Sequence, residues 1–193
     1  MTRPMSQYKD IFAGRPAAIL GGGPSLPADV ARLPAGGCVL IMVNFHALRL
    51  PEGALPGPIQ FMVYNDHPES SPELLEAAQN APKTITKVSP NNESSDVVFD
   101  VESSWVGFYS SNLATWFALW CGCDPVILCG MDCYQGEAKY FHEYEDKPHF
   151  HYPLAHHINP WIEDARNSCP HPERIKAMSG PLMGVFGQYE AAR

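Results

Sequence analysis

The sequence predicts an α/β fold, with a mainly parallel sheet and helices packed on both of its faces. Short apolar runs alternate with helical patterns along most of the chain, which is the order that a layered α/β fold produces. Two of the runs, Cys38–Val43 and Pro125–Cys129, have no polar interruption. Continuous apolar strands are typical of parallel sheets that are covered on both faces, because both sets of side chains are then buried.

The strands are predicted from short apolar or β-branched runs that end at glycine, proline or polar clusters. In chain order they are Ala17–Leu20, Cys38–Val43, Gln60–Val63, Thr84–Val88, Val97–Val101, Pro125–Cys129 and Ile175–Met178.

The helices are predicted from periodic apolar residues and from capping signals. They are Pro27–Leu33, Pro72–Asn80, Ser110–Trp120, Pro160–Asn167 and Gly184–Ala192. The second has proline at its first position and acidic residues in its first turn, both typical of a helix start. The third is apolar nearly all round and is expected to be buried. Its serine and asparagine residues at the start are predicted to act as N-caps.

Length and charge limit the class of protein. With 193 residues, of which 45% are apolar and 18% charged, the chain is predicted to form one α/β domain over 1–193. A net charge of −8 argues against nucleic acid as a partner, because phosphate backbones bind basic faces. Neither a transmembrane run nor a secretory h-region is found in the sequence, which predicts a cytoplasmic protein.

The cysteine pattern argues against a disulfide framework. Of the six cysteines, four crowd one helix end and one apolar strand, without a C-x-x-C pair. In a chain of this length without a secretory signal, buried free thiols are the expected state.

Three segments are expected to meet at one edge of the sheet. Ligands of parallel α/β sheets bind beyond the carboxyl ends of the strands. Gly21–Ser25, Asn44–His46 and Gly130–Tyr134 each follow a predicted strand, and the start of the helix at Ser111 can join them. This edge is therefore the predicted binding site.

The glycine-rich segment Gly21–Ser25 has two interpretations. One is a tight turn, because glycine and proline are the commonest turn residues. The other is a loop whose bare backbone lets a phosphate approach the N-terminus of the following helix. The letters GGGPS match neither the dinucleotide fingerprint nor the lysine-containing P-loop.

The segment after the strand Pro125–Cys129 also carries polar groups. Asp132 can hold a ribose, a metal ion or the loop itself, or cap its own turn. Tyr134 and Tyr140 can donate hydroxyl hydrogen bonds to an anion or simply pack.

Five of the eight histidines lie between positions 142 and 157. His149 and His151 would supply two ligands of a zinc site, but no H-E-x-x-H or similar spacing appears. Alternatively, one histidine of a lid over 130–159 acts as a general base. The third interpretation is a polar loop without a chemical role.

The residues at this edge resemble a known family. GGGPSL, followed by an apolar strand that ends at Asn44, looks like the G-x-G-P-S-L … C-N pattern of the bacterial lipo-oligosaccharide sialyltransferases. The segments from Ser110 and from Gly130 resemble that family's T-S-G … S-G-I-D-F-Y-Q pattern, including a second tyrosine six residues after Tyr134. The pattern is similar also to that of the MptE-like 6-hydroxymethylpterin diphosphokinase domains.

The resemblance implies a Rossmann-like nucleotide-binding domain and a glycosyl transfer from a CMP-sugar to a hydroxyl acceptor, with no metal or other cofactor required. It implies that hydroxyl groups of the tyrosines stabilise the departing phosphate and that a lid histidine deprotonates the acceptor. The candidate catalytic residues are His156, His157, Tyr134 and Tyr140. The candidate nucleotide-binding residues are Gly21, Gly22, Gly23, Ser25, Asn44, Ser110, Ser111, Asn112, Gly130 and Asp132.

Two alternatives remain open at this point. Gly22 and Asn112 depart from the sialyltransferase pattern, which has asparagine and glycine there, and the lid is shorter. The MptE-like relatives transfer pyrophosphate from ATP with Mg²⁺, for which Asp132 and Asp66 are the candidate ligands. The other alternative is a degenerate domain that keeps the fold without catalysis. The expected partners are a nucleotide or nucleotide-sugar, an unidentified small-molecule or glycan acceptor and, through the aromatic lid and Trp161, a second copy of the chain.

Overall fold

The computed structural model describes residues 2–65, 71–90, 95–100, 109–133, 138–143, 166–167 and 169–190. Its strands are β1 (Arg3–Pro4), β2 (Ala17–Leu20), β3 (Val39–Val43), β4 (Ile59–Val63), β5 (Thr86–Val88), β6 (Val97–Val98), β7 (Val126–Cys129) and β8 (Ile175–Ala177).

The strands form one sheet in the order β1-β6-β5-β4-β3-β2-β7-β8, and every neighbouring pair is parallel. With helices on both faces, this is a Rossmann-like α/β fold, as the sequence predicts. The seven predicted strands are all present, with ends that differ by at most three residues. The edge strand β1 was not predicted, because two residues carry no periodicity and the strand forms only by pairing with β6.

The helices among the described residues are α1 (Leu26–Val30), α2 (Pro72–Asn80), α3 (Ser110–Trp120) and α4 (Met183–Phe186). Helix α2 has its predicted bounds, and Ser71 caps it by accepting a hydrogen bond from the Leu74 N–H at 3.3 Å. Of the predicted helix Pro160–Asn167, only Arg166 and Asn167 are described, and both are helical.

The last helix is shorter than the sequence predicts. Gly184–Ala192 was the expectation, but α4 ends at Phe186. Gly187 has φ +83°, a left-handed conformation that ends helices. Beyond it, Gln188 bridges to Ala177 of β8, and the Tyr189 N–H donates to the Ala177 carbonyl at 2.9 Å. Pairing with the sheet therefore replaces the last helical turns.

Alternate residues of each central strand enter opposite layers of the core, as period two requires. One layer packs the sheet against α3 and the N-terminal segment, and the other packs it against α1 and α2. The first layer includes Ile19, Ile41, Val63, Leu128, Leu113 and Phe117. The second includes Leu20, Met42, Met62, Ile127, Leu26 and Leu74.

The six cysteines are free thiols, as predicted, and five of them are buried. Burial raises the pKa of Cys123 to about 12 and the pKa of Cys133 to about 12. These side chains are therefore uncharged at neutral pH and pack as small apolar groups.

No helix in the described ranges combines the length and the apolar character that crossing a membrane would require.

Phe117 of α3 should be a main anchor of the first core layer. It is fully buried, and its ring lies 5.0 Å from the Phe61 ring and 5.9 Å from the Tyr8 ring. We expect Phe117→Ala to lower the free energy of unfolding by about 3–5 kcal/mol, because it leaves a cavity. Leu48, which is 41% exposed, supplies the control: Leu48→Ala should change stability by less than about 0.5 kcal/mol. Urea denaturation of both variants tests this, and equal losses would contradict it.

Candidate functional site

The carboxyl ends of β2 and β7 lie at the point where the strand order reverses. From β2 the chain continues to β3 on one side, whereas β7 pairs with the other side of β2 and continues to β8. In open α/β sheets this reversal opens a crevice in which ligands bind. The glycine-rich loop after β2 and the turn after β7 meet there, as the sequence predicts.

Two of the three glycines allow the backbones of these loops to touch. The N–H of Gly21 donates to the Cys129 carbonyl at 2.8 Å, and the N–H of Gly23 donates to the Gly130 carbonyl at 2.9 Å. A Cβ atom on Gly21 would lie 2.5 Å from the Gly130 carbonyl oxygen, and one on Gly23 would overlap the Asp132 carboxylate. The glycines are therefore required by packing within the chain itself.

The third glycine lies against side chains. A Cβ atom on Gly22 would lie 2.7 Å from His46 Cγ and 2.9 Å from Tyr140 Cδ1. The Gly22 carbonyl accepts a hydrogen bond from the Phe141 N–H at 3.1 Å. The segment 138–143, the described part of the predicted lid beyond residue 133, thus lies directly on the glycine-rich loop.

A buried polar network fixes the start of α1. Asp132 Oδ2 lies 3.1 Å from the backbone nitrogen of Ser25 and 2.8 Å from its hydroxyl oxygen, and accepts hydrogen bonds from both groups. Asp29, which is 1% exposed, accepts from the Gly130 N–H at 2.9 Å and from the Ser179 hydroxyl at 2.7 Å. Of the roles considered for Asp132, the observed one is to hold the loop.

This network limits which backbone amides of the loop can bind a phosphate. The amides of Gly21, Gly23 and Ser25 already donate to oxygens of the protein, and α1 has only five residues. A phosphate at this edge has to be bound by groups other than these three amides. Nucleotide binding by the glycine-rich loop, Gly130 and Asp132 stays a prediction.

Asn44 follows β3 with a left-handed backbone, φ +53°, which asparagine tolerates better than most residues. Its N–H donates to the Val63 carbonyl at 2.9 Å. Its side-chain Oδ1 is buried and accepts no hydrogen bond from any part of the chain that the structure describes. A buried acceptor without a donor is unfavourable, so a ligand that supplies a donor would be stabilised here.

The start of α3 lies beside Asn44 at the same edge. Ser110 Oγ accepts a hydrogen bond at 2.9 Å from the N–H of Asn65, which follows β4, the neighbour of β3. The prediction that serine or asparagine caps α3 was wrong: Tyr109 is the N-cap and makes no side-chain capping bond. Ser110 is the first residue of the helix and therefore follows the N-cap position. Ser111 and Asn112 lie half-buried in the first turn.

His46 is a residue of this site to which sequence reasoning gave no chemical role. It is 5% exposed, its Nδ1 lies 3.0 Å from His142 Nε2, and its ring stacks on Tyr140 at 4.8 Å with an interplanar angle of 22°. Burial, reinforced by the nearby His142, lowers its pKa from 6.5 to about 3. The sequence feature that could have identified His46 is its position two residues after Asn44, just beyond the end of a buried strand.

Several candidate residues lie outside the described ranges: Tyr134, His156, His157, His149, His151, Asp66 and Trp161. Of the predicted lid 130–159, the structure describes 130–133 and 138–143. Within the described ranges, no three His, Cys, Asp or Glu side chains are grouped as metal ligands.

A comparison with protein-family models found no match, and a comparison with curated proteins found none either. Among solved structures, the chain is similar to the MAf glycosyltransferase from Magnetospirillum magneticum AMB-1, with a TM-score of 0.49 and 16% identity. The similarity covers 74% of this chain and 28% of that one, so this chain spans little more than a quarter of the larger protein. At that score and identity, the likeness carries no argument about activity.

The contact between the loops gives a direct test of the glycines. Gly21→Ala should lower the free energy of unfolding by about 1–3 kcal/mol, because its Cβ collides with backbone that can move only with β7. Gly57→Ala is the matched control, since a Cβ there meets nothing within 4 Å. Thermal and urea denaturation measure the difference; a tolerated Gly21→Ala would show that the two turns are not tightly packed.

The buried His46 should make stability fall as the pH is lowered. Its folded pKa, about 3, lies below its unfolded value near 6.5, so unfolding takes up a proton between these limits. Stability is fully present above about pH 6.5, and about 2 kcal/mol is lost between pH 7 and pH 5.

The free energy of unfolding of His46→Gln should fall less over that pH range, because glutamine does not titrate. His171→Asn is the control, because the His171 side chain is 56% exposed, and it should keep the wild-type slope. Urea unfolding as a function of pH measures this. Equal slopes in wild type and His46→Gln would contradict the neutral buried state of His46.

Proposed function

We propose that the chain binds a nucleotide at the carboxyl edge of β2, β3 and β7 and transfers a group from it. The form we favour is a metal-independent glycosyl transfer from a CMP-sugar to a hydroxyl acceptor. The expected partners are thus a nucleotide-sugar and an acceptor that carries a hydroxyl group.

The observation that carries the proposal is the buried Oδ1 of Asn44. A buried acceptor without a donor costs about 1–3 kcal/mol. A base amino group or a ribose hydroxyl would satisfy it. Both kinds of donor are part of a nucleotide.

The start of α3 supports the same ligand. This helix has eleven residues, and its macrodipole favours negative charge at the N-terminus. Its N-cap residue, Tyr109, makes no side-chain capping bond, and the first amides to donate within the helix are those of Asn112 and Leu113. We therefore assign phosphate binding to the backbone amides and hydroxyls of Ser110 and Ser111. A donor beside Asn44 and an anion beside α3 together fit a nucleotide.

Catalysis in this proposal divides between two groups. Tyr140, with Tyr134 outside the described residues, donates hydroxyl hydrogen bonds to the leaving phosphate, whose charge grows as the glycosidic bond breaks. His156 or His157, also outside the described residues, accepts the acceptor's hydroxyl proton as general base. The acceptor oxygen then forms the new bond, and the nucleotide leaves with the bonding electron pair.

The pyrophosphokinase alternative needs Mg²⁺, with Asp132 and Asp66 as ligands. Asp132 Oδ2 is engaged by the backbone and hydroxyl of Ser25, so only its other oxygen remains to be considered for a cation. This alternative predicts that ATP binding requires Mg²⁺.

Calorimetric titration with CMP, CDP, UDP, ATP and GDP, each with and without Mg²⁺, tests the proposal. Metal-independent binding of CMP supports it. Binding of ATP only with Mg²⁺ supports the alternative. A folded protein that binds none of these nucleotides contradicts both and leaves the degenerate domain.

Asn44→Gly provides the residue-level test. It removes Oδ1 and relieves the left-handed backbone, so stability should be kept or raised, while CMP affinity falls about five- to tenfold. Asp10→Gly is the matched control: it also has a positive φ, 57°, but lies beside the far end of α3, where its N–H donates to the Trp120 carbonyl. Unchanged CMP affinity in Asn44→Gly would remove Asn44 from the site.

A further inference from the structure

The segment 138–143 is attached to the glycine-rich loop both directly and through His46. Three contacts do this: the Phe141 N–H donates to the Gly22 carbonyl, the Tyr140 ring stacks on His46, and His142 hydrogen-bonds His46. The backbone contact fixes the segment, and the two ring contacts fix the orientation of Tyr140. The His46 ring takes part in both ring contacts.

The hydrogen bonds determine which nitrogens carry protons. His142 Nδ1 lies 3.1 Å from the Glu143 carbonyl oxygen, and a carbonyl only accepts, so this nitrogen bears a proton. In a neutral His142, Nε2 is then the acceptor, and it receives its hydrogen bond from His46 Nδ1 at 3.0 Å. The direction of donation therefore runs from His46 to His142 to the backbone of Glu143.

Burial keeps His46 neutral. At 5% exposure a charged imidazole is poorly solvated, and the pKa of His46 is lowered to about 3. The titratable groups that pack against His46 are His142 and Tyr140. A neutral ring with one defined tautomer is a rigid surface for an aromatic partner, and Gly22 leaves the room for it.

We propose that His46 and His142 are positioning residues, a pair of imidazoles that holds Tyr140 over the glycine-rich loop in the orientation needed to contact the leaving phosphate. This inference rests on the function proposed above, because it assigns the pair to that phosphate contact. It adds a specific consequence: the pair affects binding of the phosphate and leaves binding of the nucleoside unchanged.

His142→Phe tests the pair. Phenylalanine keeps an aromatic ring against Phe141, whose ring lies 4.8 Å from that of His142, but it cannot accept the hydrogen bond from His46. His142→Gln is the matched rescue variant, since its side-chain carbonyl accepts. The probes are CMP and cytidine, which differ only in the phosphate, titrated by calorimetry into each folded variant.

We expect His142→Phe to weaken CMP binding roughly three- to tenfold, with cytidine binding unchanged and His142→Gln closer to wild type. If wild type prefers CMP to cytidine and His142→Phe keeps that preference, the positioning role is wrong while the proposed function stands. If both affinities fall together, the pair is merely structural. If wild type binds neither probe, the proposed function itself fails.

An NMR measurement tests the pair without any nucleotide. A hydrogen-bonded Nδ1–H of His46 should give a slowly exchanging imidazole proton resonance near neutral pH in wild type. The resonance should disappear in His142→Phe and persist in Tyr140→Phe. Its absence from wild type would overturn the pairing, whatever the calorimetry shows.

Discussion

The site depends on one close approach, between the backbone after β2 and the backbone after β7. Two amide–carbonyl hydrogen bonds, from Gly21 to Cys129 and from Gly23 to Gly130, join turns that are more than a hundred residues apart in sequence. No side chain fits between them. The polar groups at this edge are arranged around that contact: Asp132 reaches across to Ser25, and Asp29 reaches back to the Gly130 amide.

This close approach distinguishes between two roles that a glycine-rich loop can have. The space left beside a glycine can be occupied by a ligand or by another part of the protein. Here the spaces beside all three glycines contain protein atoms, and the Asp132 carboxylate accepts the Ser25 amide at the start of α1. The groups left to recognise a ligand are the side chains at the ends of β3 and α3, with the rings of His46 and Tyr140 beside them.

The two sides of this edge therefore have different roles. The contact between the turns after β2 and β7 is made by backbone hydrogen bonds and joins the two halves of the sheet at their carboxyl edge. The β3–α3 side presents an acceptor and a helix N-terminus, groups that are complementary to a donor-bearing anion. The segment 138–143 connects them, because it touches the glycine-rich loop by its backbone and His46 by its rings. The loop after β2 and the end of β3 are thereby joined through a few aromatic contacts.

The sequence by itself determined the fold class, every strand but β1 and the exact bounds of α2 and α3, because continuous apolar runs and periodic patterns depend on which residues are buried. It also placed Gly21–Ser25, Asn44 and Gly130 at one edge, since carboxyl ends of parallel strands share an edge. Only the tertiary structure decided their partners. That Asp132 binds Ser25, that Ser110 accepts from Asn65 instead of capping α3, and that His46 pairs with His142 depend on contacts between residues distant in sequence, which no local pattern encodes. The end of α4 at Phe186 has the same cause: pairing of the following residues with β8 outweighs their helical periodicity.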